Sequence, residues 1–314
     1  MAEPSSPFLP PNDAGPIPKL GRSRSLGHGK VAKHPVPLDF QRNFLASKAR
    51  HLAERLARGL NAHPDQYSAI AGSLAEIIAT SDPVPGGVGY GTFYTPQFQA
   101  DFSSGTDILW AAICPELPGG NVASVLYCTA TNRSARGVEA LAAYDPGAGV
   151  AFRIYDWSIP QSPPGGQDAR WVYNLSGDSL APYFSSVTVN GVQYRCLPIY
   201  NSTVQTGAET WTNSVSLLSN QVKWVQHYSR SYQATLADQQ LANLGDWGPI
   251  VETFQPTFSG TNPLGASGVQ MRSNRGGNWS NWSALSADQA SIRDDNVGFR
   301  QAFLQPNHDW IVVS

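Results

Sequence analysis

The chain has few charged residues, since Asp, Glu, Lys and Arg make up only 14% of its 314 residues. An average soluble domain has roughly 25%. A surface with so little charge repels itself weakly and favours burial against copies of the chain or uncharged ligands. Hydrophobic residues reach 41%, which is enough to build a large core. This composition excludes a wholly disordered protein.

Cysteine is also scarce, and the three thiols Cys114, Cys128 and Cys196 each lie in an apolar run. An odd and sparse set argues against a secreted disulfide framework and predicts buried free thiols. The N-terminus lacks the basic and apolar stretches of a signal peptide, and no apolar run approaches the roughly 18 residues that cross a bilayer. We therefore expect a protein that is made in the cytosol.

Common motifs of nucleotide, metal and hydrolase chemistry are missing. We find no Gly-x-x-x-x-Gly-Lys-Ser/Thr loop, no Gly-x-Gly-x-x-Gly after a strand, and no Gly-x-Ser-x-Gly elbow. The six histidines are scattered, and no Cys/His spacing indicates zinc. His227, in a strand pattern, is interpreted as structural. The sequence thus predicts no cofactor, no metal site, no catalytic residue and no enzyme activity.

Two weaker signals remain. Asp101 and Asp107 flank a Ser-Ser-Gly turn, and Asp294 is followed by Asp295; paired carboxylates can support glycoside hydrolysis or bind calcium between subunits. We favour turn roles for them. The segment 278–282, Asn-Trp-Ser-Asn-Trp, could form an aromatic platform with Trp310 for a sugar or a partner. We favour core packing or an oligomer interface for that segment.

Positive charge is concentrated at the N-terminus. Residues 1–60 hold ten Lys and Arg against four acids, a net of +6, so the other 254 residues carry a net of -8. Such asymmetry indicates a polyanion-binding segment on a mildly acidic body. Residues 1–38 are rich in Pro and Gly and lack apolar periodicity, which predicts a flexible basic arm. A solubilising tail is the alternative.

Residues 39–80 change to a helical pattern. Apolar residues recur at spacings of three and four from Leu45 to Leu60, with Asp39 as an N-cap and Gly59 and Pro64 as stop signals. A second helix is predicted from 64 to 80. The first helix is amphipathic and cationic, so it can dock on the domain, contact RNA phosphates or lie on an anionic membrane.

Residues 81–314 read as a β domain, because short apolar runs alternate with Gly, Pro, Asn and Asp turns. Asn190-Gly191 between alternating runs predicts a two-residue hairpin turn of type I′. Strands without alternating helices predict a mainly β fold, an antiparallel β-sandwich of jelly-roll type. We predict one short helix at 236–244 and strands at 107–114, 122–131, 138–144, 150–157, 170–175, 187–194, 214–218, 222–232, 250–254, 297–303 and 310–313.

This layout resembles capsid proteins of small icosahedral positive-strand RNA viruses, of the nodavirus-like or tombusvirus-like group. The resemblance implies a self-assembling homo-oligomeric shell in the virion, assembled in the host cytoplasm, whose basic arm packages single-stranded RNA. A carbohydrate-binding, lectin-like β-sandwich is the alternative function. The expected nucleic-acid-binding residues are Lys19, Arg22, Arg24, Lys30, Lys33, Arg42, Lys48, Arg50, Arg55 and Arg58.

Overall fold

A computed structural model describes part of the chain, namely Gln41 and residues 91–94, 105–114, 124–129, 138–145, 149–160, 168–189, 192–234, 248–253, 264–284, 291–294, 301–304 and 310–313. The strands are β1 Gly91–Tyr94, β2 Gly105–Ile113, β3 Ser124–Thr129, β4 Val138–Asp145, β5 Gly149–Asp156, β6 Trp171–Ser176, β7 Ser185–Val189, β8 Val192–Gln205, β9 Thr210–Ser219, β10 Lys223–Gln233, β11 Gly248–Thr253, β12 Leu264–Arg275, β13 Asn278–Trp279, β14 Ser283–Ala284, β15 Ser291–Asp294, β16 Gln301–Leu304 and β17 Trp310–Val313.

All strand pairs in the described part of the chain are antiparallel. The larger sheet has the order β10-β9-β8-β2-β12-β17-β16, with β7 beside β8 and with β13 and β14 beside β12. The second sheet has the order β11-β3-β4-β5-β6, and β1 pairs with β15. Two single-turn 3-10 helices, Gly177–Ser179 and Ala181–Tyr183, connect β6 to β7. No helix in the described ranges is long and apolar enough to cross a membrane.

Side chains of the larger sheet hydrogen-bond to the five-stranded sheet. Asn201 Nδ2 of β8 donates to the Val138 carbonyl of β4 at 3.0 Å, and Asn213 Nδ2 of β9 donates to Asp156 Oδ1 at 3.4 Å. Because side chains alternate along a strand, Asn201 and Thr203 face the five-stranded sheet. Tyr200 and Ser202 therefore point to the opposite face of β8, and this second face carries the candidate site described below.

The core consists mostly of side chains from the central strands. Trp110 of β2, Phe152 of β5 and Trp211 of β9 are fully buried. Burying a side chain of this size contributes on the order of 1.5–3 kcal/mol. Trp211 packs with Tyr232 and Ala234, whereas Val187 packs with Ala111, Ile113, Cys196 and Leu218 on the other face. The larger sheet is thus covered by apolar contacts on both faces.

The mainly β, antiparallel prediction is confirmed. Each predicted strand coincides or overlaps with an observed one, and Val189 pairs with Val192 across a two-residue connection, as the Asn-Gly signal indicated. The strand β12, with Gly265, Gly268 and several polar residues, was missed because its own propensity is weak and its neighbours β2 and β17 hold it extended. The helices predicted in 39–80 and 236–244 lie outside the described residues, apart from helical Gln41.

His227 of β10 joins the edges of the two sheets. Its Nδ1 lies 2.7 Å from the Tyr173 hydroxyl of β6, and its ring meets those of Phe152, Tyr173 and Tyr183 edge-on. Its Nε2 is buried and has no hydrogen-bond partner in the described residues. Burial lowers the pKa of His227 from 6.5 to about 4. The structural role expected for His227 agrees with these contacts.

We predict that His227 makes the fold sensitive to acid. Because its pKa is lower in the folded state, its contribution to stability is fully present above pH 6.5 and is lost as the pH falls toward 4, by about 3 kcal/mol at most. His227→Phe keeps the ring contacts and removes the titrating group. The difference in unfolding free energy between this variant and the native chain, measured by urea titration, should therefore shift in favour of the variant as the pH falls.

Phe152→Leu is the matched control, since it loosens the same aromatic cluster without removing a titrating group. Its destabilisation should be similar at every pH. If His227→Phe also shows a constant difference across this range, the lowered pKa of His227 does not govern acid stability.

Candidate functional site

A row of polar side chains crosses three neighbouring strands in the middle of the larger sheet. Asp107 of β2 is the register partner of Ser202 on β8 and of Arg272 on β12. Cross-strand partners share a face of the sheet. Arg272 Nε donates to Asp107 Oδ2 at 2.8 Å, so this row contains a buried ion pair. The row lies on the face that points away from the five-stranded sheet.

Two tryptophans hold the arginine of this row. The centre of the Arg272 guanidinium lies 4.6 Å from the Trp279 ring centroid and 4.7 Å from the Trp282 ring centroid. Both distances are within cation–π range. The tryptophans therefore fix the plane and the position of the charge that faces Asp107.

A tight turn brings these tryptophans back over β12. Asn274 pairs with Trp279 and Arg275 with Asn278, so only Gly276 and Gly277 form the connection. Their φ angles of 58° and 93° lie in the left-handed region that favours glycine. The Gly277 N–H also donates to Asn274 Oδ1 at 2.8 Å. The glycine pair thus lets the chain reverse close enough for Trp279 to reach Arg272.

Further aromatic rings adjoin the row. Tyr200, two residues before Ser202 on β8, is 2% exposed. Its ring centroid lies 6.0 Å from that of Trp224 and 6.4 Å from that of Trp282. Burial and the Asp107 charge raise the pKa of Tyr200 well above its usual range, so its hydroxyl keeps its proton at neutral pH. The site is a carboxyl group beside a hydrogen-bond donor and half-buried indole rings.

Burial dominates the electrostatics of Asp107, which is 1% exposed. It raises the pKa of this carboxyl above the usual 3.8, and Arg272 and the Ser202 and Tyr200 hydroxyls oppose the rise without cancelling it. Asp107 Oδ1 is buried and accepts no hydrogen bond from the described residues. A bare buried carboxylate oxygen is costly. Oδ1 is therefore the atom at which this group would take up a proton.

A second buried acid shows the contrast. Asp156, at the end of β5, also has a pKa raised by burial, which Ser158, Tyr228 and Arg230 oppose. Both of its carboxylate oxygens have partners, however: Oδ1 accepts from Ser158 and Asn213, and Oδ2 accepts from the Tyr228 hydroxyl. Donors thus surround Asp156, as expected for a structural group. Asp107 Oδ1 has no hydrogen-bond partner in the described residues, so Asp107 is the stronger candidate for proton transfer.

Cys114 and Cys196, the two cysteines whose side chains the structure describes, offer no nucleophile. Cys114 and Cys196 are buried free thiols, as predicted from their apolar surroundings. Burial raises the pKa of Cys114 to about 12, and it also raises the pKa of Cys196. A thiol must ionise to attack a substrate or bind a metal. Within the described residues no group of acids, histidines and cysteines could hold a metal ion.

The ten basic residues predicted to bind nucleic acid all lie outside the described residues, and so do Asp101 and Asp295. The structure therefore does not test them. It does bring together two signals that the sequence kept apart, Asp107 and the segment 278–282. Arg272 and Tyr200 were not predicted as site residues, because only the pairing of β2 with β8 and β12 creates their relation to Asp107. The closely spaced tryptophans of segment 278–282 were a usable sequence signal, but the sequence did not show that they contact Arg272.

No protein-family profile and no curated protein matches the chain. Some solved structures do. Scytalido-glutamic peptidase with a peptide-based transition state analog has 12% identity and a TM-score of 0.38, and its match covers 72% of this chain and 97% of that chain. The same peptidase with a transition state analog inhibitor has 12% identity and a TM-score of 0.35 with the same coverage. SCP-B, a member of the Eqolisin family of peptidases in a complex with the tripeptide Ala-Ile-His, has 11% identity, a TM-score of 0.38 and the same coverage.

These comparisons correct the functional expectation. The coat-protein interpretation and the expectation that the chain is not an enzyme are wrong, because the similar structures are peptidases where capsid proteins were expected. The lectin alternative also finds no support. The physical reason for the error is that a basic, Pro-rich N-terminus and a β domain poor in charge describe an organisation, which many functions share. At these TM-scores, no residue role is transferred from the peptidases to this chain.

We predict that Gly277→Ala loosens the clamp on Arg272. A side chain at φ 93° is strained although no atom lies within 4 Å of the new Cβ, so the variant should lose about 1–2 kcal/mol of unfolding free energy. The indole N–H resonances of Trp279 and Trp282 in an NMR spectrum should shift. The matched control is Gly149→Ala, whose glycine has φ 78° and equally open surroundings at the first residue of β5, where it pairs with Asp145 of β4.

The control should lose similar stability and leave those two indole signals in place. Unchanged Trp279 and Trp282 signals in Gly277→Ala would mean that the glycine turn does not position the tryptophans.

Proposed function

We propose that this chain is a hydrolase that works in acid and uses Asp107 as its proton-transferring group. The observation that carries the proposal is the state of that carboxyl. It is buried in the middle of a sheet, its pKa is raised, and its Oδ1 has no hydrogen-bond partner in the described residues. Perturbed acids with a named cause are typical of functional sites.

In the proposed hydrolysis, the Asp107 carboxyl acts first in its protonated form and then in its ionised form. Water attacks the scissile carbon, neutral Asp107 then donates its proton to the leaving group as the scissile bond breaks, and the resulting carboxylate takes up a proton from the oxygen that came from water. The water oxygen forms the new bond to the substrate. The nearby Tyr200 hydroxyl, which keeps its own proton, can stabilise negative charge that develops on the substrate.

The surroundings suit such a step. Trp224, Trp279 and Trp282 are each partly buried around the polar row, and aromatic walls exclude water from a site. Exclusion of water strengthens the interaction between charges and dipoles. A rim of indole rings also gives an organic substrate an apolar surface on which to rest.

Peptide bonds are the substrate class to test first, since the similar solved structures are peptidases with peptide-based or tripeptide ligands. We use this likeness only to choose the first substrates to test, and we assign no activity to this chain from it.

Three expectations from the sequence remain predictions beside the proposed activity. They are the jelly-roll topology, the division at residues 38 and 80, and contact of the basic N-terminal residues with RNA or an anionic membrane.

The test is hydrolysis of a complex peptide mixture, with cleavage products identified by mass spectrometry from about pH 3 to pH 7. We expect turnover that falls as the pH rises through the pKa of Asp107, because the proton donor is then lost. Asp107→Asn should reduce the rate about 100- to 10,000-fold, the usual contribution of a general acid or base.

Asp156→Asn is the matched control, because it removes an equally buried acid from a site where every carboxylate oxygen has a partner. It should lower the unfolding temperature and leave the rate per folded molecule within a few-fold. Equal rates for Asp107→Asn and the native chain, or no cleavage of any peptide in this range, would overturn the proposal.

A further inference from the structure

We infer that Arg272, held between Trp279 and Trp282, is a positioning residue that fixes the orientation and the charge state of the Asp107 carboxyl. The inference rests on the proposed function for its catalytic meaning. Its physical content, the control of one side chain by another, can be measured without any substrate. It gives the segment 278–282, for which core packing, an oligomer interface and a binding platform were the expected roles, a function in holding Arg272.

The contact geometry restricts how Arg272 can act. It meets Asp107 through Nε at 2.8 Å, on the Oδ2 side of the carboxyl. Oδ1 stays without a partner among the described residues. A single contact to one oxygen orients the carboxyl and leaves the other oxygen available for a proton. A bidentate guanidinium would instead occupy both oxygens and suppress proton transfer.

The tryptophans make this one-sided contact persistent. An arginine side chain on a strand has many rotamers and would lose conformational entropy on fixing one of them. Stacking against two rings, at 4.6 and 4.7 Å, offsets that loss. The side chain of Arg272 is 12% exposed, so solvent screens its charge only weakly.

The electrostatic balance agrees with this role. Burial alone would raise the pKa of Asp107, and the charge of Arg272 is the largest influence that lowers it again. Burial is the largest single influence on Arg272 and would lower its pKa, but the charge of Asp107, the hydrogen bond to it and the contribution of Tyr200 together outweigh burial and raise the pKa of Arg272. Arg272 therefore stays charged while Asp107 titrates. Loss of its charge should leave Asp107 protonated up to a higher pH.

The experiment is a direct titration of Asp107 by carbon NMR on protein labelled at the aspartate carboxyl carbon, with the signal assigned by its absence in Asp107→Asn. Arg272→Gln removes the charge. It should move the Asp107 midpoint up by about one unit or more, the size of shift that a neighbouring opposite charge causes. Arg272→Lys keeps the positive charge but has no planar guanidinium to stack against the tryptophans. The Asp107 midpoint in this variant should fall between those of the native chain and Arg272→Gln.

Arg230→Gln is the matched control. Arg230 lies beside the other buried acid, with its Nη1 3.8 Å from Asp156 Oδ2. This variant should leave the Asp107 midpoint unchanged. If peptide cleavage is found, the alkaline limb of its pH profile should move with the NMR midpoint in Arg272→Gln and stay in place in Arg230→Gln.

The possible results separate the two proposals. A shifted Asp107 midpoint in Arg272→Gln supports the positioning role even if the chain cleaves no peptide, in which case the proposed hydrolase alone fails. An unchanged midpoint in a folded Arg272→Gln protein overturns the positioning role, whatever the activity, and a native midpoint in Arg272→Lys overturns only the part of that role assigned to the stacked guanidinium plane. A pH profile that stays in place while the midpoint moves would mean that Arg272 sets the charge of an acid that is not the catalytic group.

Discussion

The cost of placing a carboxyl group inside a sheet, away from water, governs what this molecule can do. Asp107 sits where solvation cannot stabilise its ionised form, so its charge depends on one arginine and two hydroxyls. The arginine in turn depends on two indole rings, and the first of these reaches it through a two-glycine turn. The backbone freedom of two glycines thus allows the aromatic stacking, the stacking holds the arginine, and the arginine lowers the proton affinity of Asp107.

The two buried aspartates show how similar burial leads to different chemistry. Both have a raised pKa because water is excluded. Around Asp156 the fold supplies a backbone amide, two hydroxyls and an amide side chain, so an exchange of its proton would disrupt several bonds. Around Asp107 the donors are fewer and one oxygen has no partner in the described residues. Reactivity follows from the incomplete set of partners rather than from burial alone.

Local sequence signals explain much of the β architecture and little of the site. Alternating apolar runs and the Asn190-Gly191 turn predicted strands correctly, because strand and turn preferences act between near neighbours. The strand Leu264–Arg275 escaped notice because its neighbours impose its conformation. The meeting of Asp107 with Arg272, 165 positions later, depends on sheet order, which no local pattern encodes. The composition and charge distribution suggested a coat protein because they describe the order of segments along the chain. They contain no information about such long-range pairs.

The cross-strand row has a consequence for how the gene can change. Side chains alternate between the two faces of a strand, so a shift of β2 by one residue would carry Asp107 to the face that meets the five-stranded sheet and bring Ile108 beside Arg272. Insertions and deletions inside β2, β8 or β12 are therefore tolerated only where they restore this parity. Length variation in relatives of this chain should be confined to the connections between strands, and the relative phase of these three strands should be more constant than their residues.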